Sequence, residues 1–100
     1  MGNTSNQKSP ATRQCRLIRY GGDVQGVGFR YTAMRLAEGF DLAGYVRNLP
    51  GGQVEILVEG DAEQVEGFLE AVRERMAGYI TDTDDQPTPC QGLTSFNIRF

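Results

Sequence analysis

Gly21-Gly22-Asp23-Val24-Gln25-Gly26-Val27-Gly28-Phe29-Arg30 is the stretch around which the rest of the chain is arranged. Four of its ten residues are glycine. Val24, Val27 and Phe29 are spaced through it as apolar anchors that seat a loop on a core. Upstream, Cys15-Arg16-Leu17-Ile18-Arg19-Tyr20 alternates in part and stops at Gly21, so it reads as a first strand. Downstream, Ala33, Leu36, Ala37 and Phe40 recur at i, i+3, i+4 and i+7, the apolar stripe of a helix over Tyr31 to Phe40. A strand feeding a glycine-rich loop and then a helix is the outline of an anion site. Glycine lets backbone amides approach a ligand. The first amides of a helix have no carbonyl partner, and its dipole is positive there. Arg30 adds a fixed charge and a planar fork of donors suited to phosphate oxygens. The loop by itself also fits a plain tight turn. Tyr31 stands where a dinucleotide fingerprint needs its third glycine, and no G-x-x-x-x-G-K-[ST] run is present.

Working outward, Leu42 to Asn48 reads as the second strand and Leu49-Pro50-Gly51-Gly52 as a turn. Gln53 to Glu59 alternates, with Val54, Ile56 and Val58 on one face and Glu55, Leu57 and Glu59 on the other, which predicts a half-buried third strand. Asp61 followed by Gln64 has capping-box spacing. Val65, Phe68, Leu69, Val72 and Met76 then form the stripe of a second helix, whose charged face is solvated. Residues 77–94 are polar, and a fourth strand around Gly78 to Thr83 is expected only because the arrangement needs one. Asp82, Asp84 and Asp85 lack the Gly and Glu of a calcium loop and read as a solvated loop. Phe96, Ile98 and Phe100 alternate as a last strand. The order β-α-β-β-α-β defines an α+β ferredoxin-like sandwich, an antiparallel sheet with two helices on one face. Residues 1–13 are polar and aperiodic, predicting a flexible tail before one domain over 14–100.

Composition removes several classes of function. The net charge is −3 with a single lysine, Lys8, against the basic surplus of a nucleic-acid binder. Anion affinity must come from local groups, Arg30 and amides, rather than from the overall field. There is no histidine and no C-x-x-C, so neither a zinc site nor a histidine base is expected. No apolar run approaches a membrane span, and the N-terminal stretch has no secretory apolar region. Cys15 and Cys90 leave both a free pair and a bridge open; two reduced, partly buried thiols in a cytoplasmic protein are the expected state.

A second short run, Gly44-Tyr45-Val46-Arg47-Asn48, follows the first. Together, G-x-V-Q-G-V-x-F-R and G-[WY]-V-x-N resemble the two signatures of the acylphosphatase family. The resemblance runs through A-x-x-F-x-L-x-G-Y-V-R-N, from Ala37 to Asn48, and covers residues 15–76, with a weaker echo from Ser95 to Phe100. It implies hydrolysis of acyl phosphates by direct in-line attack of water, without metal or other cofactor. It implies that Arg30 binds the phosphate and Asn48 orients the water. It also implies that the backbone N–H groups of Gln25, Gly26, Val27, Gly28 and Phe29 form the cradle. The partners expected are a small acyl phosphate and inorganic phosphate, with no nucleic acid, no membrane, and a monomeric chain. Taken singly, Arg30 reads first as a surface ion-pair residue and Asn48 as a turn residue; only the two motifs together set them above those readings. Asp23 stands where the family is commonly basic or neutral, and a carboxylate beside the cradle would repel phosphate. That residue, with the atypical 77–94 stretch, keeps an alternative open: a catalytically weak anion-binding or interaction domain derived from the same fold.

Overall fold

The computed structural model describes residues 13–100; the expected tail lies outside the described residues, except that Arg13 opens the first strand. The elements are β1 (Arg13–Gly22), α1 (Phe29–Ala37), β2 (Leu42–Asn48), β3 (Val54–Asp61), α2 (Ala62–Arg75), β4 (Ile80–Pro87) and β5 (Phe96–Arg99). They form one five-stranded sheet in the order β4-β1-β3-β2-β5, with both helices packed on it, an α+β ferredoxin-like fold. Pairings are antiparallel except the last, in which β5 runs parallel to β2, so the sheet is mixed.

The central strand β3 is buried along both faces, not one. Toward the helices, Val54, Ile56 and Val58 meet Ile18, Tyr20, Val46, Phe29, Ala33, Val65, Phe68 and Val72 in the core. The alternation foretold this face. Phe68 anchors it, meeting Phe40 and Phe96 edge-on at centroid distances of 6.2 and 5.3 Å.

On the opposite face the expectation of solvent-facing carboxylates is corrected: Glu55 and Glu59 are each 1% exposed. Each is buried because it is hydrogen-bonded. Glu55 accepts from Arg19 Nε at 3.0 Å, Arg47 Nε at 2.8 Å and the Tyr45 hydroxyl at 3.2 Å. Register explains the cluster, since Arg19 and Arg47 are the direct cross-strand neighbours of Glu55 on either side. Burial pushes the Glu55 carboxyl upward, but the hydrogen bonds from Arg47 and Arg19 outweigh it and hold the group below its ordinary value. Glu59 accepts from the backbone N–H groups of Gln91, Gly92 and Leu93, the last two at 3.1 Å.

Three further expectations change. Asp61 caps α2 with extended backbone but makes no side-chain capping bond; Gln64 Oε1 instead accepts from Asp41 N–H at 2.7 Å, tying α2 to the start of β2. Residues 80–87, read in part as a solvated loop, form the edge strand β4, and Asp85 pairs with Arg16. Cys15 and Cys90 are joined in a disulfide, so the reduced pair is corrected. Strand geometry brings them together: the Thr88 amide donates to Cys15 C=O at 2.9 Å, placing Cys90 two residues on beside β1.

Candidate active site

The loop between β1 and α1 is built as its residues dictate. Val24 and Phe29 are buried at 0% and 2% exposure, and the Phe29 ring tilts against Tyr20 at 5.1 Å. These are core anchors, as their spacing suggested. Between them, Gly26 and Gly28 hold φ of 82° and 80°, left-handed backbone that an L side chain rarely adopts. A Cβ at either would point into open space, so backbone conformation rather than crowding favours glycine there. Gly28 is the N-cap of α1, and its carbonyl accepts the first helical bond, from Thr32 N–H at 2.9 Å. The amides of the first turn, which begins at Phe29, therefore have no carbonyl of the helix to bind.

Gln25, expected to contribute its amide, does more with its side chain. Its Nε2 donates to Leu49 C=O at 2.9 Å and to Gln53 C=O at 2.8 Å. Both belong to the β2–β3 turn, where Leu49 N–H donates to Gln53 C=O at 2.8 Å. One side chain thus clamps the glycine loop to the hairpin that ends β2 in Asn48. No sequence signal identified this, because it depends on two backbone carbonyls brought close only by the sheet.

The loop, the first turn of α1, the end of β2 and the end of β5 enclose a cavity of about 280 Å³. Gly26, Gly28, Phe29, Arg30 and Asn48 line it, with Val24, Tyr31, Ile98 and Phe100 as apolar and aromatic walls. Gln25 and Val27 lie outside this lining; Val27 packs partly buried against the core. Arg30 and Asn48, eighteen residues apart by number, therefore share one cavity. Among the described residues Arg30 has no carboxylate partner, and its guanidinium carbon lies 5.0 Å from the Phe100 ring centroid. Tyr31, Ile98 and Phe100 were not singled out as site residues. Phe100 follows β5, which was read only for its alternation, and its placement depends on the parallel register of that strand with β2. Asp23 is exposed, does not line the cavity, and donates its amide to Tyr79 C=O at 2.9 Å. Among the described residues, no group of three His, Cys, Asp or Glu is placed to hold a metal ion.

Fold and site together define a ferredoxin-like domain in which a glycine loop at a helix start shares a cavity with Arg30, an arginine without a carboxylate partner among the described residues. These are donors of the kind that can take an oxyanion. A family model described as acylphosphatase matches residues 16–98. The chain is 46% identical over 80 residues to an acylphosphatase of Methanospirillum hungatei, covering 78% of this chain and 88% of that one. It is 40% identical over 92 residues to an acylphosphatase of Pseudomonas paraeruginosa, covering 87% and 97% respectively. The crystal structure of acylphosphatase from Bacillus subtilis superposes with a TM-score of 0.75 at 36% identity, covering 88% of this chain and 99% of that one. The chain belongs to the acylphosphatase family and is an enzyme of the hydrolase class.

Proposed function

We propose that this protein hydrolyses the carboxyl–phosphate bond of small acyl phosphates, releasing carboxylate and inorganic phosphate by in-line attack of water. The observation that carries the reading is the meeting of Arg30, Asn48 and the loop residues Gly26, Gly28 and Phe29 around one cavity. The chemistry asks for little else. The leaving group is a carboxylate, so no general acid is needed, and the phosphorus is already activated. What remains is to position the phosphoryl group and offset charge on its equatorial oxygens. The amides of Gln25 through Phe29 and the Arg30 guanidinium take those oxygens. Asn48, at the end of β2, holds the attacking water in line with the departing carboxylate. The water's proton passes to solvent or product phosphate. No phosphoenzyme, metal or cofactor takes part, and the chain acts as a monomer in the cytoplasm, where acyl phosphates arise from ATP-dependent activation of carboxylates.

The test is hydrolysis of benzoyl phosphate in the presence of EDTA. Turnover unchanged by the chelator, with phosphate and sulfate as competitive inhibitors, is the expected result. Activity lost in EDTA and restored by Mg²⁺ or Zn²⁺ overturns the metal-free route. A Michaelis constant indifferent to millimolar phosphate would mean that the loop is only a turn. Fractionation and sedimentation check location and monomeric state.

A further inference from the structure

The connection from β4 to β5 must travel from one edge of the sheet to the other, because the order is β4-β1-β3-β2-β5. It crosses the face opposite the helices as a strap, residues 88–95, tied down at each strand it passes. At β1, Thr88 N–H donates to Cys15 C=O at 2.9 Å and Cys90 is bonded to Cys15. At β3, Glu59 accepts the three successive amides of Gln91, Gly92 and Leu93. At β2, Gly44 N–H donates to Ser95 C=O at 3.0 Å. Cys15 and Glu59 are direct cross-strand partners, so disulfide and carboxylate form one clasp. Beyond it lies β5, four residues on the sheet edge with partly or fully exposed side chains, held to the sheet by β2 alone. That strand supplies Ile98 and leads to Phe100, whose fully exposed ring has its centroid 5.0 Å from the Arg30 guanidinium carbon. Phe96 and Ile98 pack partly buried against the core, Phe96 edge-on to Phe68 at 5.3 Å, while Asn97 and Arg99 are exposed. So short an edge strand still depends on what leads into it.

The disulfide is open to attack. Cys90 is exposed while Cys15 is 6% exposed, and both line a surface cleft of about 650 Å³ together with Arg13 and Arg16.

We infer that the Cys15–Cys90 bond is a redox latch that seats β5, and through it the Phe100 wall of the phosphate site. A dithiol reductant supplies the two electrons. Its thiolate attacks Cys90 Sγ, forming a mixed disulfide and expelling Cys15 as thiolate, which takes a proton. The second thiol of the reductant then displaces Cys90 as a thiol and leaves as the cyclic disulfide. In the reduced protein the Thr88–Cys15 backbone bond, the hold of Glu59 on residues 91–93 and the Gly44–Ser95 bond remain, but the covalent tie to β1 is gone, and β5 opens locally more often. The consequence for the site rests on the proposed phosphate-binding role of Arg30, whereas the latch itself does not.

Two measurements separate these. Amide hydrogen exchange of the air-oxidised protein, of protein reduced with dithiothreitol, and of the Cys15→Ser/Cys90→Ser double variant reads the latch without any reaction. Residues 96–99 are expected to exchange at least about tenfold faster in the reduced and double-variant forms, with β1, β3 and both helices unchanged. Phosphate binding measured by titration, independent of turnover, is expected to weaken about three- to tenfold in the same forms and to recover on reoxidation with oxidised glutathione. Equal exchange of residues 96–99 in all forms overturns the latch, as does faster exchange throughout the chain, which would make the bond a global staple. Faster exchange with unchanged phosphate affinity overturns the coupling to the site. If phosphate binds in neither state, it is the reading of the Arg30 cavity that fails, and the exchange result still judges the latch.

Discussion

Arg30 and Asn48 share a cavity but are proposed to do different work, and substitution separates them. Arg30→Ala should damage both phosphate binding and turnover. Arg30→Lys should recover little, because a point charge cannot match the guanidinium fork. Asn48→Ala should leave inhibition by phosphate near normal while lowering kcat by about 10²–10³-fold, the scale of losing one preorganised polar group. Steady-state kinetics with phosphate as inhibitor checks both; equal loss of phosphate affinity in the two variants would remove the water-holding role. Gly44 makes a different kind of demand. Its φ is 153°, and an added Cβ would lie 1.9 Å from the Leu57 carbonyl oxygen. Gly44→Ala should cost about 3 kcal/mol or more in denaturant unfolding, since backbone must move on both strands. Glu55 sets an acid limit. Its carboxyl is held below its ordinary value, so its stabilisation is complete above the unfolded value of about 4.3 and is lost as pH falls through the lower folded value. Unfolding curves of Glu55→Gln and the parent should therefore differ at pH 7 and draw together as the pH falls below about 4. The two side chains of the proposed site were singled out only by the two motifs together, since an arginine at a helix start or an asparagine before a turn is by itself ordinary. The Gln25 clamp and the buried state of Glu55 were not. Each depends on partners 8 to 36 positions away whose register no local pattern encodes.

Among the elements, α1, α2 and β3 were readable because their apolar residues recur on the face turned to the core, and that recurrence shows as periodicity even though the other face of β3 is buried as well. The same logic hid β4. Seven of its eight residues are exposed, so it needs only backbone bonds to β1, which Thr, Asp and Gln make as well as Val does. Helix starts divide in the same way. The capping-box spacing at Asp61 was real in sequence, yet the side chain makes no capping bond and Gln64 is engaged by Asp41. Asp61→Ala should consequently cost less than about 0.5 kcal/mol, against the ~1 kcal/mol of a working cap, while Phe68→Ala should cost about 3–5 kcal/mol because it empties the contact between α2, Phe40 and β5. Thermal unfolding of the two variants side by side gives the comparison. A destabilised Asp61→Ala would show that the cap forms in solution.

For the molecule as a whole, the fold was legible because the order of elements leaves few ways to bury two helices on one sheet. The strap and the edge strand β4 were less so, because little that is apolar marks them. The net charge of −3 is unevenly placed: Arg19, Arg47 and Glu55 are drawn together on the face opposite the helices, while Asp82 and Asp84 stand exposed along β4. Removing those two charges while keeping strand propensity, in Asp82→Thr/Asp84→Thr, should leave the melting temperature within a few degrees yet lower the soluble fraction severalfold at high protein concentration, checked by light scattering. The reason lies in what β4 is. A sheet edge is the growing end of a polymer whose monomer is any other extended chain. In this protein that end is armed with like charges, so each copy that approaches edge-on meets its own acids first. The polarity that made β4 unreadable as a strand is the same property that stops the sheet from adding a sixth, foreign one.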